Sequence, residues 1–84
     1  MSFEVLVSDE AKKFLDKLPK EHRGIILKKL GNVRRNPYPH LKKLIGTAFW
    51  RLRVMDYRVI IDIVIKANTL YVVRIGHRKN VYDK

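Results

Sequence analysis

The 84-residue sequence contains no cysteine, which excludes disulfides and thiolate metal sites and leaves the fold to rest on one apolar core. Long hydrophobic runs are also missing: each apolar stretch is strand-length and broken by charge, so none reads as a membrane span. The start, Met1-Ser2-Phe3-Glu4, lacks the charged and apolar regions of a secretory signal, and the expected setting is the cytoplasm, away from any membrane. Carboxylates are scarce, with 8 Asp and Glu against 19 Lys and Arg. Neither a paired-carboxylate site in the basic half nor a Walker loop, a glycine-rich dinucleotide turn or a catalytic triad pattern occurs. His22 and His40 have no acidic companions at ligand spacing, so neither metal nor cofactor is expected.

What the sequence has in excess is positive charge. The formal charge is +11 and the sequence pI about 10.3, a field that attracts nucleic acid, an acidic protein or an anionic surface. Residues 1–40 hold 9 basic and 5 acidic side chains, whereas residues 41–84 hold 10 and 3, which places the binding surface in the C-terminal half. At this length the chain forms one domain, residues 1–84, with a core of about two layers.

Alternation of Phe3, Val5 and Val7 predicts a first strand. Ser8 is a candidate N-cap, followed by Asp9 and Glu10 in the first turn and by Ala11, Phe14, Leu15 and Leu18 at helical spacing until Pro19. A second helix, from Lys20 to about Arg35, carries Ile25, Ile26, Leu27, Leu30 and Val33 and ends at Asn36-Pro37-Tyr38-Pro39. Period-two alternation then predicts three strands in meander order, Phe49 to Met55, Tyr57 to Lys66 and Leu70 to Gly76. The expected class is α+β: an N-terminal strand, a helical hairpin, and a three-stranded antiparallel meander with the helices packed on one face.

Parity assigns the faces. Tyr57, Val59, Ile61, Ile63 and Ile65 share the core side of their strand, so Arg58, Ile60, Asp62 and Val64 face the other way. A two-residue turn at Met55-Asp56 pairs Val54 with Tyr57 and sets Arg53 opposite Arg58, with Arg51 on the same face. A three-residue loop at Ala67-Asn68-Thr69, with Asn68 near left-handed geometry, keeps Arg74 out of the core by pairing it with Asp62. The same register pairs Ile61 with Ile75 and Ile63 with Val73, and brings Arg78 beside Arg58.

Arg51, Arg53, Arg58 and Arg78 then form one cluster. A like-charged pair directly across a sheet costs about 0.2–1 kcal/mol, a penalty that a bound polyanion offsets. Guanidinium groups fork onto phosphate oxygens and keep their charge at any working pH, which suits both backbone binding and stabilisation of a reacting phosphate. His77 and Tyr82 lie where the chain leaves the sheet, as a candidate acid–base group and a candidate stacking group, each evenly balanced against an ordinary surface or packing role. Lys42, Lys43 and Lys79 add candidate RNA contacts. Ile60, Val64, Leu70 and Val72 are expected on the same open face, where an acidic partner would cover them.

Three segments then carry a resemblance. Lys42-Lys43-Leu44-Ile45-Gly46, Trp50-Arg51-Leu52-Arg53-Val54-Met55-Asp56-Tyr57-Arg58-Val59-Ile60 and Ile75-Gly76-His77-Arg78-Lys79-Asn80-Val81-Tyr82 resemble the RelE/ParE toxin superfamily, specifically its RelE branch. The resemblance implies a RelE-like fold and a type II toxin that cuts mRNA in the ribosome without metal, by attack of a 2′-hydroxyl, and that an acidic RelB-like antitoxin restrains. Carried over by position, Arg58 and Arg78 match phosphate-stabilising arginines and Tyr82 a catalytic or stacking tyrosine. Arg51 and Arg53 stand where some members have lysines, one of them a proposed general base, and an arginine is a poor proton acceptor. A ParE-like inhibitor of DNA gyrase without enzymatic activity and a non-toxic RNA-binding module are the alternatives.

Overall fold

The backbone strands assemble into one five-stranded sheet of order β1-β5-β4-β3-β2, in a computed structural model that describes residues 2–77. The elements are β1 (Glu4–Val7), α1 (Asp9–Asp16), α2 (Lys20–Val33), β2 (Lys42–Lys43), β3 (Phe49–Val54), β4 (Tyr57–Val64) and β5 (Thr69–His77). The expected α+β architecture is present, with one strand more than the sequence suggested. Two lysines form β2, too short for alternation to reveal, antiparallel to β3.

Ser8 starts α1 as expected: its hydroxyl accepts the Ala11 N–H at 3.1 Å. It also donates to the Val73 carbonyl at 2.7 Å, tying the helix start to β5 across 65 residues. α1 buries Ala11 and Leu15, and α2 buries Ile26, Leu30 and Val33. These meet Leu52, Val54, Tyr57, Val59, Ile61, Leu70, Val72 and Ile75 from the sheet in one core. Ile25 and Leu27, read from their spacing as part of the α2 apolar stripe, are 47% and 46% exposed.

The β3–β4 turn holds as read, with Val54 opposite Tyr57, Arg53 opposite Arg58, and Met55 in left-handed geometry at φ 53. The β4–β5 register differs. The loop spans residues 65–68 and does take Asn68 into the left-handed region, at φ 52, but Val64 pairs with Thr69 and Asp62 with Tyr71. That register alone would carry Arg74 into the core. A bulge prevents it: Ile61 pairs with Val72 and Ile60 with Arg74, leaving Val73 as an extra residue that no partner faces. Arg74 stays outside by a change of phase within the strand rather than by loop length. The Val73 carbonyl is the one that Ser8 holds, so the bulge has its own hydrogen-bond partner.

Leu70 and Val72 therefore correct the expected open face, since both are fully buried in the core. The inward pairs are Ile61–Val72, Ile63–Leu70 and Val59–Ile75, and Gly76 rather than Arg78 lies opposite Arg58. Ile65, expected inside, is in the loop and 71% exposed.

Candidate functional site

Two rows of side chains cross the sheet on the face away from the helices. One runs Arg74, Ile60, Arg51, Lys42 over β5, β4, β3 and β2, and the next runs Gly76, Arg58, Arg53. Neighbouring strands lie about 4.8 Å apart, so Lys42, Arg51, Arg53 and Arg58 occupy a patch only a few residues wide. Arg53 is exposed, Arg51 half-buried and Arg58 buried at 8% exposure. Reduced contact with water lessens the screening of such a guanidinium's field on a bound anion. Asp62 also lies on this face, one step further along β4 and opposite Phe49 and Tyr71.

Arg74 belongs beside this patch, not in the Asp62 pair expected of it. Its Nε lies 3.8 Å from a Glu10 carboxylate oxygen, with both side chains more than half exposed, an arrangement of little energetic weight. Lys43 separates from Lys42 because consecutive residues of a strand point to opposite faces. It pairs with inward-facing Trp50, lies 6.0 Å from that ring, and donates to the Thr47 carbonyl. Ile60, expected to be uncovered on this face, is instead buried at 6% exposure between Arg51 and Arg74, and Val64 is half-buried. Arg78, Lys79 and Tyr82 lie outside the described residues.

His77 moves furthest from its expected role. It pairs with Tyr57 on the helix side, with the two ring centroids 5.2 Å apart, and its ring also meets Phe14 edge-on at 5.9 Å. The sheet separates it from Arg51, Arg53 and Arg58. His22, set aside in the sequence, joins the same cluster: its Nδ1 shares a hydrogen bond of 2.8 Å with the Tyr57 hydroxyl. The sequence signal for this cluster was the inward parity of Tyr57, a phenol in the core that needs a polar partner. Among the described residues no group of three or more His, Asp or Glu side chains is placed to hold a metal ion.

A family model described as the ParE toxin of the type II toxin–antitoxin system parDE matches residues 5–82, nearly the whole chain. The chain belongs to the RelE/ParE toxin superfamily. It is a toxin of a type II toxin–antitoxin system with a RelE-like fold. Among solved structures it is similar to the archaeal RelE–RelB complex of Pyrococcus horikoshii, at 27% identity and TM-score 0.81 over 96% of this chain and all of that one. The RelBE2 toxin–antitoxin complex of Mycobacterium tuberculosis superposes at TM-score 0.85 and 23% identity, covering 93% of this chain and all of that one. A mutant of the E. coli toxin RelE in its free state gives 0.82 at 21% identity, over 96% of this chain and 88% of that one, and these last two likenesses bear on fold alone. Among curated proteins none matches. Within this RelE/ParE toxin, the sheet face bearing Lys42, Arg51, Arg53 and Arg58 is the candidate site. No described helix is long and apolar enough to cross a membrane.

Proposed function

We propose that this toxin is a ribosome-dependent endonuclease of mRNA in the cytoplasm, acting without metal. The observation that supports it most is the placement of Arg53 directly opposite buried Arg58, with Lys42 and Arg51 in the adjoining row. An RNA 2′-hydroxyl oxygen attacks the neighbouring phosphorus as the bond to the 5′-oxygen breaks, leaving a 2′,3′-cyclic phosphate and a 5′-hydroxyl. Arg58 and Arg78 stabilise the charge that builds on the phosphate, while Arg51, Arg53, Lys42 and Lys79 hold the backbone. The arginines among these groups are poor proton acceptors. With His77 on the other face, the proton lost by the 2′-hydroxyl and the proton gained by the 5′-oxygen fall to Tyr82 or to groups of the ribosome.

The archaeal relative is bound to RelB, and an acidic RelB-like antitoxin is the proposed partner of this basic chain. Induction of the toxin without antitoxin should arrest translation with codon-phased breaks in mRNA, and Arg58→Ala, shown to fold by circular dichroism, should relieve the arrest. Intact mRNA during arrest rejects the reading. The match to a ParE family model favours a second one, a non-enzymatic inhibitor of DNA gyrase. DNA-damage signalling without mRNA cleavage would select it.

A further inference from the structure

Asp62 stands in an apolar setting on the sheet face that bears the arginines. Phe49 of β3 and Tyr71 of β5 lie directly opposite it on either side, and Ile60 and Val64 precede and follow it on the same face of β4. Phe49, Asp62 and Val64 are half-buried, and Tyr71 is 37% exposed. A carboxylate among such neighbours loses part of its hydration, a cost that hydrogen-bond donors must offset. Among the described residues, no hydrogen bond or ion pair engages it. The donors are left for a ligand to supply.

The two rings limit the shape of that ligand. Adjacent strands lie about 4.8 Å apart, so Phe49 and Tyr71 rise from lines about 10 Å apart with the carboxylate between them. A planar heterocycle can stand on edge in that slot, its faces against the rings and its edge on Asp62. An ionised carboxylate only accepts, and its two oxygens suit an edge that presents two N–H groups side by side. Guanine has such an edge, in N1–H and the N2 amino group. Adenine and cytosine set one amino group beside an acceptor nitrogen, and uracil has one N–H between two carbonyls.

Position ties the slot to the cationic patch. Phe49 and Arg51 are alternate residues of β3, so about 7 Å separates the row of the rings from the row of Arg51 and Lys42. A strand of RNA with a phosphate on Arg51 reaches the slot with an adjacent base. Building on the RNA reading above, we infer that Phe49, Asp62 and Tyr71 form a subsite for one guanine base of single-stranded RNA, the rings stacking on it and the carboxylate accepting from N1–H and the N2 amino group.

The test measures binding of the full chain, at low salt, to labelled uridine oligomers that differ only at one central position, which is guanosine, inosine or uridine. Inosine keeps N1–H and lacks the N2 amino group. The parent should hold the guanosine strand at least about fivefold tighter than the other two, the loss expected when a bidentate base contact is broken. Asp62→Asn, nearly identical in shape, should hold all the strands alike, and should grip the uridine strand more tightly than the parent because a negative charge has left a cationic face. Tyr71→Ala should weaken the guanosine strand at least about fivefold through lost stacking. Circular dichroism of each variant separates lost binding from lost folding, and the exchange of guanosine for inosine tests the parent without any substitution. Equal affinity of the parent for all the strands overturns the guanine subsite and leaves the RNA reading standing. A preference for guanosine that survives in Asp62→Asn overturns it as well. Binding of no strand overturns the subsite, and only intact mRNA during arrest overturns the reading beneath it.

Discussion

Salt dependence gives the most direct measure of how the cationic face works. Lys42, Arg51, Arg53 and Arg58 share one side of the sheet within two adjoining rows. Each cation that neutralises a phosphate of single-stranded nucleic acid adds about −0.7 to the slope of log K against log salt, so four contacts give a slope of about −2.8. Binding of a labelled single-stranded RNA, followed by fluorescence anisotropy, should then weaken roughly 50-fold between about 50 and 200 mM salt. Replacing Arg51 and Arg53 with glutamine keeps most of the side-chain length and removes two charges. The slope should fall by about 1.4, which alone reduces the salt effect over that range by roughly 7-fold. Arg78 and Lys79 can steepen both slopes, but the difference between parent and variant is unaffected by them. Because Arg53 faces Arg58, the variant should also be more stable, by about 0.2–1 kcal/mol. An unchanged slope in the double variant would refute phosphate binding by this face.

Three further outcomes follow from the packing. Ser8→Ala removes both the cap of α1 and the donor to Val73, and should cost about 1–3 kcal/mol in urea denaturation, with Ser8→Thr retaining most of it. Gly31→Ala lies within α2 with open space around the added carbon, so it should stabilise the fold by about 0.5–1 kcal/mol and raise the melting temperature accordingly. Val72→Asp places a carboxylate at a fully buried site and should abolish the fold by circular dichroism, whereas Ile25→Asp, at a position 47% exposed, should change stability by no more than about 0.5 kcal/mol.

Local chemistry was the most legible part of the chain. Ser8, Asp9 and Glu10 announced α1, Pro19 divided the helices, and Met55-Asp56 set the register that faces Arg53 with Arg58. Alternation failed where the strand changed phase. Leu70 and Val72 point inward and so does Ile75, a spacing of two followed by three, and that irregularity is itself the signature of a bulge. A strictly regular strand, read outward from Arg74, put Leu70 and Val72 on the wrong face. Edge pairings were legible least. β2 is two lysines long, and the parallel contact of β1 with β5 joins segments 65 residues apart, which neither periodicity nor a turn motif specifies. The arginine face was recovered because its defining pairs come from one tight hairpin. His77 was misplaced because the strand was read as ending at Gly76, whereas β5 runs on to His77 and pairs it with Tyr57 on the helix side.

Val73 is counted by the chain and skipped by the ladder. A relative without the bulge would reach the end of this strand one residue sooner while presenting the same side chains to the same faces. A sequence alignment drawn through β5 without a gap would then be right on only one side of Val73, and the roles assigned to Gly76, His77, Arg78 and Tyr82 would slide to their neighbours. The hydroxyl of Ser8, resting on the Val73 carbonyl, marks where such a gap belongs.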